Sequence, residues 1–109
     1  GIKFVDEFTG FASGQNGVII KTTDKGITWT SLNTGTNRWI HSLFFISATT
    51  GMVSGDNGLL LRTSNGGTSW EAVYNSAPYF LRSIIFSDYY NGWSAGENGT
   101  VIHTYNGIY

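Results

Sequence analysis

The sequence contains no cysteine. That excludes a disulfide framework and any thiolate-held metal, and it leaves the compartment open. Proline occurs once, as Pro78, and charged residues make up only 12 % of the chain, six basic against seven acidic. A formal net charge of −1 gives no electrostatic basis for binding a phosphate backbone or an anionic bilayer surface, so a nucleic-acid partner is not expected. No apolar run approaches the roughly 20 residues of a membrane-spanning helix, and no signal peptide is visible. The first residues, Gly1 to Val5, read as the middle of a strand, so a removed leader or an upstream start is expected. What the chain has in quantity is glycine, 15 residues, and aromatic side chains, 16 %. That mixture suits many short strands joined by tight turns.

The chain repeats itself every 41 residues. Gly10, Gly51 and Gly92 keep that step, as do Gly14, Gly55 and Gly96. The pairs Asn16-Gly17, Asn57-Gly58 and Asn98-Gly99 follow, then Thr22, Thr63 and Thr104, then Asp24, Asn65 and Asn106, and finally Trp29 and Trp70. Within the second unit, Trp39 to Ile46 predict a long apolar strand buried on both faces. Met52-Val53-Ser54 begin a second strand. Asp56-Asn57-Gly58 predict a tight hairpin turn, because Asn-Gly supplies the two positive φ values of a type I′ turn. Leu59 to Thr63 predict a third strand and Ser69 to Tyr74 a fourth.

Such a four-stranded antiparallel meander of about 41 residues is one blade of a β-propeller. The expected fold is therefore all-β, with blades over residues 1–34 (first strand truncated), 35–75, and 76–109 (fourth strand missing). A little over two and a half blades make an incomplete ring, whereas propellers close with about 4–8. Either a longer chain or an oligomer is needed to close it. Three copies would give about eight blades and two about five, both within that range.

Thr22-Thr23-Asp24-Lys25-Gly26-Ile27-Thr28-Trp29 and Thr63-Ser64-Asn65-Gly66-Gly67-Thr68-Ser69-Trp70 share one pattern. It is Ser/Thr-x-Asp/Asn-x-Gly-x-Ser/Thr-Trp. An Asp or Asn side-chain oxygen accepts N–H groups of its own turn, the hydroxyl adds a tether, and the indole covers the turn. The structural residues are thus Thr22, Asp24, Gly26 and Trp29, with Thr63, Asn65, Gly67 and Trp70. The third copy carries Ile108 where the glycine belongs, which predicts an irregular turn. These residues resemble the Asp-box, or bacterial neuraminidase (BNR), repeat. The longer string Gly-x-Asn-Gly, three apolar residues, a basic residue and Thr resembles the propellers of the photosystem II assembly-factor family. It runs over Gly14 to Trp29, Gly55 to Trp70 and Gly96 to Thr104. The resemblance implies structural Asp boxes away from any ligand site, protein–protein interaction, and a tilt towards an exported location. Sialidases and sorting receptors share the motif.

Catalysis is not expected. A sialidase grips its carboxylate with three arginines, and the chain has only Arg38, Arg62 and Arg82. Arg62 moreover falls at a repeat position. Two histidines, His41 and His103, far apart in sequence, suggest no zinc site, and Asp56-Asn57-Gly58 lacks the further ligands of a calcium loop. No cofactor is implied.

In a four-stranded meander, the loops between strands two and three share a face with the loops linking blades. That face gathers Arg38, Trp39, His41, Tyr79, Phe80 and Arg82, aromatic anchors beside cations, a composition enriched at binding hot spots. Trp39 and Phe80, one repeat apart, would equally serve as packing between blades. A second candidate is a basic ladder of Lys21, Arg62 and His103, one per blade. Each charge would equally reach solvent beside the Asp box, with its stem packed on the neighbouring strand. The expected role is protein interaction or scaffolding, with a protein partner or a second copy of the chain. The alternative is a carbohydrate-binding module, or the non-catalytic part of a sialidase-like hydrolase, with Trp39 stacking on a sugar ring.

Overall fold

The computed structural model describes residues 1–73, 81–87, 91–99 and 101–104, without the side chains of Asn98 and Thr104. Among these residues eleven strands form three antiparallel sheets, each a meander in chain order. The first sheet runs β1 (Ile2–Phe4), β2 (Gly10–Ser13), β3 (Ile19–Thr22), β4 (Thr30–Leu32). The second runs β5 (Ile40–Phe45), β6 (Gly51–Gly55), β7 (Leu60–Thr63), β8 (Glu71–Ala72). The third holds β9 (Leu81–Phe86), β10 (Gly92–Gly96) and β11 (Val101–Thr104). The third Asp-box copy beyond residue 104 lies outside the described residues, as do Tyr79 and Phe80.

The repeat dictates a register that recurs from sheet to sheet. Gly10 pairs with Thr22, Gly51 with Thr63 and Gly92 with Thr104. Opposite each of those glycines, on the first strand, stands a phenylalanine one repeat apart: Phe4, Phe45 and Phe86. Each ring lies flat across its glycine. A Cβ built on Gly10, Gly51 or Gly92 would meet ring carbons at 2.8, 2.5 and 2.6 Å. Only a residue without a side chain can floor that seat.

The strand buried throughout is β6, every residue of which is inaccessible, rather than β5 as the apolar run 39–46 suggests. In β5, Ile40, Leu43 and Phe45 are buried while His41, Ser42 and Phe44 are half-buried. The reason is position: β6 has a strand on either side and a sheet on either face. The expected fourth strand also contracts, to Glu71 and Ala72, both exposed. As the outermost strand of its sheet it pairs on one side only, through Leu61 and Arg62.

The Asn-Gly turns have the predicted backbone. Asn16 and Gly17 lie at φ 61° and 68°, Asn57 and Gly58 at 57° and 74°. Val18 N–H donates to the Gln15 carbonyl and Leu59 N–H to that of Asp56, closing each turn.

Two apolar layers hold the sheets face to face. In the first, Phe11 and Ile19 of the first sheet meet Leu43, Phe45, Val53 and Leu61 of the second. Phe11 and Phe45 stack with centroids 3.8 Å apart and planes 5° from parallel. In the second layer, Met52 and Leu60 meet Leu81, Ile84 and Phe86, with Phe44 and Ile102 at the margin. Burying each such side chain is worth about 1.5–3 kcal/mol. The sheets therefore depend on one another for stability.

Gly51→Ala is expected to cost about 1–3 kcal/mol, because its methyl displaces Phe45 from a stack that has no room to yield. Gly10→Ala, under the exposed Phe4, should cost markedly less. Urea denaturation of the two variants measures the difference.

Candidate functional site

The Asp boxes close the hairpins between strands three and four. In the first, Thr28 donates to the Asp24 carboxylate through its hydroxyl (2.5 Å) and its N–H (2.8 Å). The Thr22 hydroxyl donates to the same carboxylate at 2.7 Å and accepts the Gly26 N–H at 2.9 Å. Trp29 Nε1–H donates to the Gly26 carbonyl at 3.0 Å. The Thr28 hydroxyl and N–H, with the Thr22 hydroxyl behind them, hold the Asp24 pKa down to about 2. In the second box Asn65 does the same work without charge. Its Oδ1 accepts from the Thr63 hydroxyl and Ser69 N–H, and its Nδ2–H donates to Ser69 Oγ. Both boxes need a left-handed residue pair, Lys25 and Gly26 at φ 66° and 90°, Gly66 and Gly67 at 71° and 90°. The box tryptophans reach back edge-on to the first strand, Trp29 to Phe4 and Trp70 to Phe45. The Asp24 and Asn65 side chains thus spend their hydrogen bonds on their own turns.

Lys21 and Arg62 lie on the sheet faces turned towards the next sheet, and His103 holds the equivalent register position on the third. Lys21 stands opposite Phe11 in the register, its Nζ 5.4 Å from the ring centroid. It donates across to the Gly66 carbonyl in the second box at 3.1 Å. That cation ties two sheets together. Arg62 stands beside Met52 and opposite Glu71. His103 stacks on Trp93, centroids 4.6 Å apart and planes 3° from parallel.

On the face opposite the boxes, the inter-sheet loop packs on the Asn-Gly turns. Thr34 Oγ1 donates to the Gly17 carbonyl, Ile40 N–H to that of Gly14 and Asp56 N–H to that of Trp39. Here the structure brings Trp39, His41 and Asp56 together. His41 Nε2–H donates to Asp56 Oδ1 at 2.5 Å, while the half-exposed Trp39 indole stacks on the imidazole with centroids 5.0 Å apart. One repeat later Arg82 reaches Glu97 at 3.4 Å. Arg38 is exposed beside Trp39. Asp56 and Glu97 come from the Asn-Gly turns, which share this face, and the sequence reading did not pair them with His41 and Arg82. The signal was there: a basic residue fifteen residues before an acid, at 41 and 56 and again at 82 and 97.

Among the described residues no three His, Asp or Glu side chains gather closely enough to hold a metal ion. No helix among them is long and apolar enough to cross a membrane.

Meanders related by one 41-residue step, stacked through a phenylalanine layer and closed by Asp boxes, define a segment of a BNR-repeat β-propeller. The sequence matches the family model described as photosynthesis system II assembly factor YCF48, over residues 1–74 and again over 27–108. The chain belongs to that family. Among solved structures it resembles YCF48 bound to D1 peptide, with a TM-score of 0.87 and 22 % identity over 99 % of this chain and 36 % of that one. YCF48 from Cyanidioschyzon merolae gives 0.84 and 21 %, over 98 % and 36 %. An ancestral GH74 enzyme gives 0.78 and 18 %, over 99 % and 17 %. The chain thus spans about a third of the YCF48 structures' length. No curated protein matches it.

The charged box and its neutral twin predict a pH effect with a definite sign. Asp24 is more acidic folded than its ordinary 3.8, so its ionised form favours the folded state above that value. The contribution is lost as pH falls through about 2. Asp24→Asn, which copies the second box, should lower the urea midpoint at pH 6 and converge with the wild type near pH 2.

Proposed function

We propose that this chain is a non-catalytic propeller segment that binds a protein partner on the face carrying the Asn-Gly turns. Its blades we take as residues 1–34, 35–75 and 76–109. The observation that carries the reading is the Trp39–His41–Asp56 group. It sets a half-exposed indole beside hydrogen-bonded charge at a rim where two loops meet. An aromatic anchor held rigid on a scaffold loses little entropy when a partner covers it. Arg82 and Glu97 place a second, more exposed pair one repeat further round. Arg38, with Tyr79 and Phe80 from the second loop, completes the face we assign.

Membership of the YCF48 family supports protein binding over catalysis, and the structural neighbour carrying a D1 peptide supports a polypeptide ligand. A second reading, carbohydrate binding through Trp39, draws on the likeness to a GH74 enzyme. We do not assign the ladder residues Lys21, Arg62 and His103 to the partner site, because Lys21 already spends its charge between two sheets.

Titration with the D1 peptide, followed by tryptophan fluorescence, tests the assignment. Saturable binding weakened tenfold or more by Trp39→Ala, a loss of about 1.4 kcal/mol or greater, is the expected result. No peptide response, together with binding of a neutral oligosaccharide, would move the function to the second reading.

A further inference from the structure

At the Asp-box end the first two units share a backbone and differ in what it carries. The turn joining β1 to β2 lies against the first box, where Lys25 N–H donates to the Phe8 carbonyl at 3.0 Å. The second unit makes the same tie, from Gly66 N–H to the Thr49 carbonyl at 2.9 Å. Asp6 Oδ1 caps the first turn by accepting the N–H groups of Phe8 and Thr9. Ser47 Oγ does the same for Thr49 and Thr50 in the second. The second unit thus forms these turns with no charge and no large apolar side chain at their tips.

What the first unit carries there is therefore surplus to the fold. Phe8 is 51 % exposed and Ile27 80 %, where the next unit has Thr49 and Thr68. Glu7 and Lys25 give way in the same step to Ala48 and Gly66. Thr49 and Thr68 are themselves exposed, although the second unit has a sheet packed on either face. This end of a blade stays open when blades stack. In the third unit the two positions hold Tyr90 and Tyr109, outside the described residues. Lys25 Nζ lies 5.1 Å from the Phe8 ring centroid and 3.1 Å from Glu7 Oε1. The N–H groups of Thr9 and Phe8 hold the Asp6 carboxyl below its ordinary range. With Glu7 and Asp24 that makes three carboxylates against one ammonium in the two turns. Apolar side chains exposed together on one face mark an interaction surface rather than scattered surface residues.

We propose that the turn at Phe8 and the box tip at Ile27 form a docking surface for a second protein, one whose contact region is apolar and rimmed by lysine or arginine. Charge complementarity selects that occupant. The two turns are net negative, so a basic rim is steered towards them and an acidic one is repelled. The same sign opposes the anionic surface of a bilayer. The hydrogen bonds of Asp24 are spent on its own turn, so contact falls to Phe8, Ile27 and the charges beside them. Glu7 and Lys25 form an exposed ion pair, which contributes little to the fold. Glu7 can therefore exchange Lys25 for a cation of the partner at small cost. This surface lies at the opposite end of the blade from the Trp39 rim, and its failure leaves the peptide-binding reading untouched.

Fluorescence anisotropy with a labelled amphipathic peptide of leucine and lysine reads the surface, with a leucine–glutamate peptide as the charge-reversed probe. The leucine–lysine peptide should bind, less tightly as salt is added, and the leucine–glutamate peptide at least tenfold more weakly. Phe8→Thr combined with Ile27→Thr copies the second unit, so the fold should persist by circular dichroism while binding weakens tenfold or more. Ile27→Thr alone, at the more exposed position, repeats the test if the double variant fails to fold. Titration with the D1 peptide should be the same for the double variant and the wild type, so the two surfaces fail separately. No binding of the leucine–lysine peptide would overturn the proposal. So would binding that survives the double substitution, or equal affinity for the leucine–glutamate peptide. Co-sedimentation with phosphatidylcholine vesicles, lost in the double variant, would overturn it in favour of a lipid surface.

Discussion

Everything in this structure turns on a ring lying over a glycine. The phenylalanine of each first strand spreads across its neighbouring strand at the one position that has no side chain to lift it. Lowered in this way, the Phe45 ring becomes flat enough to stack on Phe11 of the preceding sheet at 3.8 Å. The Asp-box tryptophan then closes against its edge. Three elements far apart in sequence are thus gathered on one side chain. The tight turns and the register can be seen as means of delivering that ring to its place, since a slip of one residue would turn it to the opposite face.

The two ends of a blade do different work with similar materials. At the box end, polar side chains spend their hydrogen-bonding capacity on their own turn: Asp24 is saturated by Thr22 and Thr28, and Asn65 by Thr63 and Ser69. Little is left over for a ligand. At the opposite end the polar contacts run between blades and loops, from Ile40 to Gly14 and from Asp56 to Trp39. Loops there are supported from beneath while their side chains, Trp39 foremost, remain partly open. Stiff support and an accessible aromatic are the two conditions a recognition surface needs.

Much of this was legible in the sequence because the repeat exposes it. The Asn-Gly turns, the box chemistry and the meander order follow from local rules that act within a few residues, and Asn57 with Gly58 takes up its expected backbone. The misreadings have one cause, burial set by neighbours distant in sequence. The run from Trp39 to Ile46 is strongly apolar, yet His41 and Ser42 lie half-open while the glycine-rich strand from Gly51 to Gly55 is wholly enclosed. Lys21 reads as a solvent-facing charge until the second box is seen to supply a carbonyl 45 residues away. The partnership of His41 with Asp56 needed only the comparison of a basic and an acidic residue at equal spacing in successive units.

The seat on the glycine also bears on how such a chain is assembled over time. Ring and floor lie six residues apart, at Phe45 and Gly51, inside a single unit. Each duplicated unit therefore inherits both parts of its own lock together. Only the platform it lands on comes from elsewhere, and that position has drifted through Phe11, Met52 and Trp93 while the lock has stayed the same. Such a chain can lengthen by whole units without renegotiating its junctions. Most of its strand pairs also join segments adjacent in sequence, so each new unit can fold largely on local contacts before it finds its neighbour.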